Sequence, residues 1–313
     1  MQKYLVILLI SISTLTGCGV PEKERRTDQS NSDNNTPLTI VASFYPLAYF
    51  TQEIGGSFVE VTTITPAGAE PHDYEPSPKE IAMISDSDLF IYHGSGFEPW
   101  AEDIAQNIGE TNVPGLEISS AFQLMPIPAE EHDEDELLAF DPHIWLDPVL
   151  AQEEVGLLRD QLEKLDPEHG KDYQERAEDL LFRLQQLDEE FQQGLKTCLL
   201  NESIVSHNAF SYLGRRYGVT FTGISGISPE AEPSAMHLAK LTDLVREKGI
   251  TVIFFESLVS PKLSETLALE TGITTLVLNP LEGLTAEEQK NGTDYFSVMR
   301  DNLDHLKIAL QCQ

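Results

Sequence analysis

The chain has 313 residues, with 52 Asp and Glu against 20 Lys and Arg and a formal net charge of −32. That balance excludes a nucleic-acid binder, which needs a basic face. It suits a protein that collects cations, although acidity also serves solubility. Past the N-terminus no segment has the roughly 18 consecutive apolar residues that a membrane helix requires.

In chain order, Lys3 is followed by an apolar run from Tyr4 to Leu15 and then by Leu15-Thr16-Gly17-Cys18. A run of about a dozen apolar residues is too short to span a bilayer and fits a secretory signal. The Leu-Thr-Gly-Cys ending resembles the bacterial lipobox. It implies that residues 1–17 are removed and that Cys18 carries the lipid, against the alternative of an ordinary signal with an incidental cysteine. Residues 18–37 are polar and proline-bearing, cannot bury enough surface to order themselves, and read as a flexible, lipid-anchored stalk. The expected location is therefore outside the membrane, exported and tethered to it by that lipid.

The remainder is long enough for one large domain or two lobes. Apolar, β-branched runs recur at Leu38–Phe44, Val59–Ile64, Asp88–His93, Ser203–Ser206, Val219–Ile224, Thr251–Glu256 and Thr275–Leu278. Helical spacing lies between them at Pro78–Ser85, Ala235–Lys248 and Pro261–Thr271. Alternating strands and helices predict an α/β fold with mainly parallel sheets flanked by helices. Between the two groups of strands, Asp166-Pro167 offers an N-cap and first helical residue. After it Tyr173, Ala177, Leu180, Leu181, Leu184, Leu187, Phe191 and Leu195 recur at spacings of three and four. The stripe predicts one rigid helix of about 30 residues. It serves either as a spine joining two lobes, the preferred reading, or as a coiled-coil dimer helix. The expected division is a lobe over 38–165, a connecting helix over 166–197 and a lobe over 198–313, in a monomer.

Cys198 and Cys312 are the two cysteines left beside Cys18. An even number in a chain bound for an oxidising compartment predicts a disulfide pinning the C-terminal helix; two buried thiols are the alternative.

Eight histidines are present. Three stand at element ends, where an open α/β sheet binds its ligands. His72 lies in the Pro66–Pro78 loop, His143 in the turn Asp141-Pro142-His143-Ile144-Trp145-Leu146-Asp147-Pro148, and His207 directly after a strand. Three neutral imidazoles suit Zn²⁺. Glu70, Asp73, Asp141 and Asp147 are placed to orient their other ring nitrogens. His93 ends a strand and points generally toward the cleft, while His169, His237 and His305 fall in helical stretches.

At these residues the chain resembles the zinc and manganese substrate-binding lipoproteins of ABC transporters (the cluster A-I, ZnuA-like proteins). The likeness rests on Gly68-Ala69-Glu70-Pro71-His72-Asp73-Tyr74-Glu75-Pro76-Ser77-Pro78, the Asp141–Pro148 turn, Ser206-His207-Asn208-Ala209-Phe210 and Phe254-Phe255-Glu256-Ser257. It implies two lobes, a metal at their interface, an ABC permease as partner and capture of a metal rather than catalysis. It carries the ligand role onto His72, His143 and His207. Manganese binders of this family tend to have glutamate where His207 stands, so imidazole favours zinc; the same fold carrying manganese or iron is the alternative. An enzyme with an open zinc position and a surface adhesin are the other readings. The family's usual fourth aspartate falls at Asn279, whose neutral amide is a poor zinc ligand, which leaves water or a nearby carboxylate such as Glu256 for that place. Glu256 and Asn279 are read either as that ligand or as supports behind the ligands, Glu256 more as a support. A short acidic loop, Glu130 to Glu136 with His132, stands where zinc members often carry a His-rich one.

Overall fold

The structure is a computed structural model that describes residues 36–108, 113–127 and 139–313. Cys18, the signal, all but the last two residues of the stalk, and the His132 loop lie outside the described residues.

The first lobe runs β1 (Leu38–Ala42), α1 (Tyr45–Gly55), β2 (Val59–Thr63), α2 (Pro78–Ser85), β3 (Leu89–Tyr92), α3 (Ala101–Ile108) and β4 (Gly115–Glu117). Strand β5 (Met125–Pro126) then pairs antiparallel with β6 (Phe140–Asp141). Helices α4 (Pro148–Leu165) and α5 (Gly170–Gly194) follow. The second lobe is β7 (Glu202–Val205), α6 (Ser211–Tyr217), β8 (Thr220–Gly223), α7 (Ala235–Lys248), β9 (Val252–Phe255), α8 (Lys262–Thr271), β10 (Thr274–Val277), α9 (Ala286–Asn291) and α10 (Tyr295–Ala309).

Both large sheets are parallel, with orders β2-β1-β3-β4 and β10-β9-β7-β8. Numbered within its own lobe, each has the order 2-1-3-4, so the halves share one topology. In each, the first and third strands of the lobe lie side by side and the chain leaves them in opposite directions across the sheet. The crevice beyond that pair is where ligands bind in such folds. Central strands buried on both faces need continuous apolar runs, and Leu89-Phe90-Ile91-Tyr92 of β3 is buried throughout.

The connecting helix begins where predicted: Asp166 is the N-cap of a 3-10 turn, Pro167–His169, that runs directly into the 25 residues of α5. The same residue also ends α4. The Asp166 carboxylate accepts from Tyr173 Oη at 2.7 Å and pairs with His169 Nδ1 at 2.6 Å, which ties off the corner. So short a link lays α4 beside α5. Ala151, Val155, Leu158 and Leu162 of α4 share one core with Ala177, Leu180, Leu184 and Leu187 of α5. That core runs on into both lobes.

Further links cross between the halves. Trp145 Nε1 donates to the Pro280 carbonyl at 2.8 Å, and Tyr295 Oη donates to the Trp145 carbonyl at 2.6 Å. Tyr212 Oη, from α6, donates to the Asp141 carbonyl at 2.7 Å and accepts from Met125 N at 2.8 Å. Helix α10 packs back on α1, with Phe50 and Tyr295 rings 4.9 Å apart. Cys198 and Cys312 are joined as a disulfide, which clips the end of α10 to the segment after α5. Among the described residues no helix is long and apolar enough to cross a membrane.

Candidate metal centre

The site is assembled from four loops at the facing ends of the two sheets. His72 comes from the loop between β2 and α2, His143 from the turn between β6 and α4, His207 from the end of β7, and Glu282 from the loop after β10. One ligand atom from each lies within 4.8 Å of the others. Glu282 Oε1 is 3.1 Å from His143 Nε2, 3.1 Å from His207 Nε2 and 3.6 Å from His72 Nε2, and His143 Nε2 lies 3.3 Å from His207 Nε2. Donors at about 2.0–2.1 Å around a tetrahedral zinc are about 3.3 Å apart, so Glu282, His143 and His207 already stand close to that spacing.

Two imidazoles are aimed from behind. His143 Nδ1 contacts Asp141 Oδ1 at 2.8 Å, and His207 Nδ1 contacts Glu256 Oε1 at 2.7 Å. An ionised carboxylate only accepts, so each Nδ1 carries the proton and each Nε2 lone pair faces the centre. The same two carboxylates also accept from the backbone N–H of their histidines, at 3.0 and 3.3 Å. That fixes the whole residue rather than only the ring. His72 is held through its backbone N–H, which donates to Glu70 Oε1 at 3.3 Å, and by packing, its ring 4.6 Å from the Phe97 ring at 74°.

The electrostatics are those of a site that wants a cation. Burial opposes charge on His207, but Glu256 and Glu282 outweigh it and raise its pKa well above the usual value. His143 is raised likewise, burial being overcome by Asp141 and Glu282. His72, where burial dominates, is lowered. Burial would raise the Glu282 carboxyl, yet the His207 charge and bonds from the imidazoles hold it well below the usual range. Glu70 is pushed up, first by burial and then by Glu282. The cluster thus favours positive charge at its centre, on His143 and His207 rather than on His72.

The three predicted histidines meet, and a fourth residue that was not predicted, Glu282, joins them. Glu256 takes the supporting place rather than the fourth position, behind His207. Asn279 is spent on its own turn: its Oδ1 accepts from Leu281 N at 2.8 Å, and its Nδ2 donates to Ser257 Oγ at 2.9 Å. Asn302 Oδ1 accepts from Asn279 N at 2.8 Å. This turn runs through Leu281 at φ 57°, a left-handed backbone uncommon for leucine, and delivers Glu282 three residues beyond the expected acid. An acid following a proline turn at a strand end was the available signal. Asp147 caps α4 through Val149 N and pairs with Arg216, and Asp73 is exposed; neither orients a ligand. His93 is fully buried among Phe44, Phe97 and Trp145, and burial lowers its pKa to about 3. His169, His237 and His305 bond to Asp166, the Gly223 carbonyl and the Val277 carbonyl, away from the cluster.

Two like-folded lobes around a buried three-histidine, one-glutamate cluster define a metal-binding solute-binding protein. A family model described as ZnuA, zinc-uptake complex component A, periplasmic, matches residues 40–309, and the chain belongs to that family. It is 39% identical over 290 residues to the high-affinity zinc uptake system protein ZnuA of Bacillus subtilis (strain 168), covering 91% of each. It is 39% identical to the zinc-binding lipoprotein AdcA of Streptococcus pneumoniae (strain ATCC BAA-255 / R6), covering 90% of this chain and 57% of AdcA. The Zn(II)-bound crystal structure of Streptococcus pneumoniae AdcA superposes with a TM-score of 0.77 at 37% identity, over 89% of this chain and 59% of that one. A mutant structure of the laminin-binding adhesin Lmb of Streptococcus agalactiae gives 0.78 at 36%, over 87% and 99%.

Proposed function

We propose that this chain captures Zn²⁺ outside the membrane at His72, His143, His207 and Glu282 and hands it to an ABC-type permease, working as a monomer anchored by lipid at Cys18. The observation that carries the reading is the convergence of four buried ligand atoms within 4.8 Å of one another. Three imidazoles and one carboxylate favour zinc over manganese, although a site rich in histidine also takes copper or nickel in vitro. The role is binding rather than catalysis. Four protein ligands fill a tetrahedral shell, whereas catalytic zinc keeps one position open for water or substrate. Competition titration of zinc against manganese tests the assignment, with His72→Ala, His143→Ala, His207→Ala and Glu282→Gln in parallel. Zinc should win in the parent and each variant should bind it weakly; a parent that prefers manganese, or variants that bind like the parent, would sink the proposal.

The likeness to Lmb, named a laminin-binding adhesin, supports a second activity. Solid-phase binding of the zinc-loaded chain to laminin, compared with an uncoated surface, decides it.

A further inference from the structure

Three of the four cluster residues are sealed, with His143, His207 and Glu282 at 0%, 0% and 1% exposure, while His72 keeps 7%; its buried Nε2 faces Glu282 Oε1 at 3.6 Å with no hydrogen bond. His72 also lines a groove of about 540 Å³ on the first lobe, together with Asp73, Tyr74, Glu75, Trp100 and Asp103. His72 is thus the only one of the four with exposed side-chain surface, and the groove lies outside it.

The charge in this groove is one-sided. Asp73, Glu75 and Asp103 are exposed, no Lys or Arg lines the groove, and none of the three makes an ion pair among the described residues. The acid-lined groove along α5 differs: Arg176 and Arg183 line it, and Arg183 pairs with Glu53. Unanswered carboxylates in a concavity focus a negative potential and raise the local concentration and association rate of cations. Carboxylates hold zinc more weakly than imidazoles do, so an ion drawn here passes inward to the softer donors.

We propose, resting on the zinc-capture reading above, that this groove is the mouth of the zinc site and that Asp73, Glu75 and Asp103 are its capture residues. They draw a divalent cation to His72, which is the first ligand to bind and the last to let go. The other three ligands, already gathered behind it, take the ion up next.

Stopped-flow measurement of zinc association, followed by the fluorescence of Trp145 beside His143, tests this. The variant is Asp73→Asn/Glu75→Gln/Asp103→Asn, and the control removes the same charge on α5 and α10 through Glu178→Gln/Glu189→Gln/Asp301→Asn. At low ionic strength the groove variant should associate about tenfold more slowly than the control. The gap should close with added salt, and the dissociation rate should match the parent's. Equal association rates for variant and control would overturn the route, as would a deficit confined to dissociation. Equilibrium binding of one zinc per chain by the parent is measured first. Its absence overturns zinc capture itself, whereas its presence with equal rates overturns only the route.

Discussion

At the scale of single residues, the cluster separates groups that touch the ion from groups that aim them. Glu256→Gln and Asp141→Asn leave all four ligands in place but remove the acceptor behind an imidazole. Zinc affinity, read by chelator competition, should fall about 10–100-fold in each. Asn279→Ala touches no ligand and should also weaken zinc, because the turn that delivers Glu282 loses the bond from Leu281 N. Acid should release zinc. Only the neutral imidazole ligates, and the raised pKa values of His143 and His207 let protons compete above the usual imidazole range. Zinc uptake near neutral pH should therefore expel protons, a release that calorimetry in buffers of different ionisation enthalpy would detect; an uptake with no proton release would contradict it. Of this site, the three histidines were legible because each sits in a short motif at an element end. Asp141 was legible beside His143 for the same reason. Glu282 was not: an acid after the Asn279-Pro280 turn was the only cue, and that cue does not reveal the left-handed turn at Leu281 that brings it to the cluster. Nor was the pairing of Glu256 with His207, which only strand adjacency creates.

Among the elements, α4 holds the least expected feature. Glu154 is fully buried, and neither carboxyl oxygen has a hydrogen-bond partner; burial raises its pKa to about 8. The unfolded carboxyl ionises near 4.5, so folding takes up a proton between these values. Stability then falls as pH rises from about 4.5 to about 8, by roughly 3 kcal/mol at pH 7. Glu154→Leu removes the penalty without stranding a partner. Its melting temperature should exceed the parent's by more at pH 8 than at pH 5. The strands were legible to within a residue or two, because central parallel strands need unbroken apolar runs. Strand β4, three residues long with none fully buried, left no such trace. The start of the long helix was legible in Asp166-Pro167, a cap followed by a proline. That the same residue also ends α4 was not, because Asp-Pro reads equally well as a start and as a break between two helices.

For the whole molecule, the paired helices and the lobe-crossing bonds of Trp145, Tyr212 and Tyr295 resist a wide hinge motion, so metal release should involve the loops. Small-angle scattering of zinc-free and zinc-loaded protein should give nearly equal radii of gyration; a large contraction would contradict this. The Cys198–Cys312 disulfide closes a sequence separation of 114 residues. Replacing both with alanine should cost about 2–5 kcal/mol of stability, measured by denaturant unfolding, with zinc affinity unchanged because the bridge lies outside the four ligand loops.

The four ligand loops are spread from His72 to Glu282, across both lobes. No fragment that lacks the second lobe holds the complete set, and neither does the unfolded chain. Zinc is thus a reporter of completed folding as well as a cargo. A chain still being threaded or synthesised from its N-terminus carries none until nearly its full length is in place. Once loaded, every unfolding event must first surrender the ion. At a free zinc concentration 100 times the dissociation constant the folded state gains about 2.7 kcal/mol, so the protein that has found its metal is also the one that resists degradation longest.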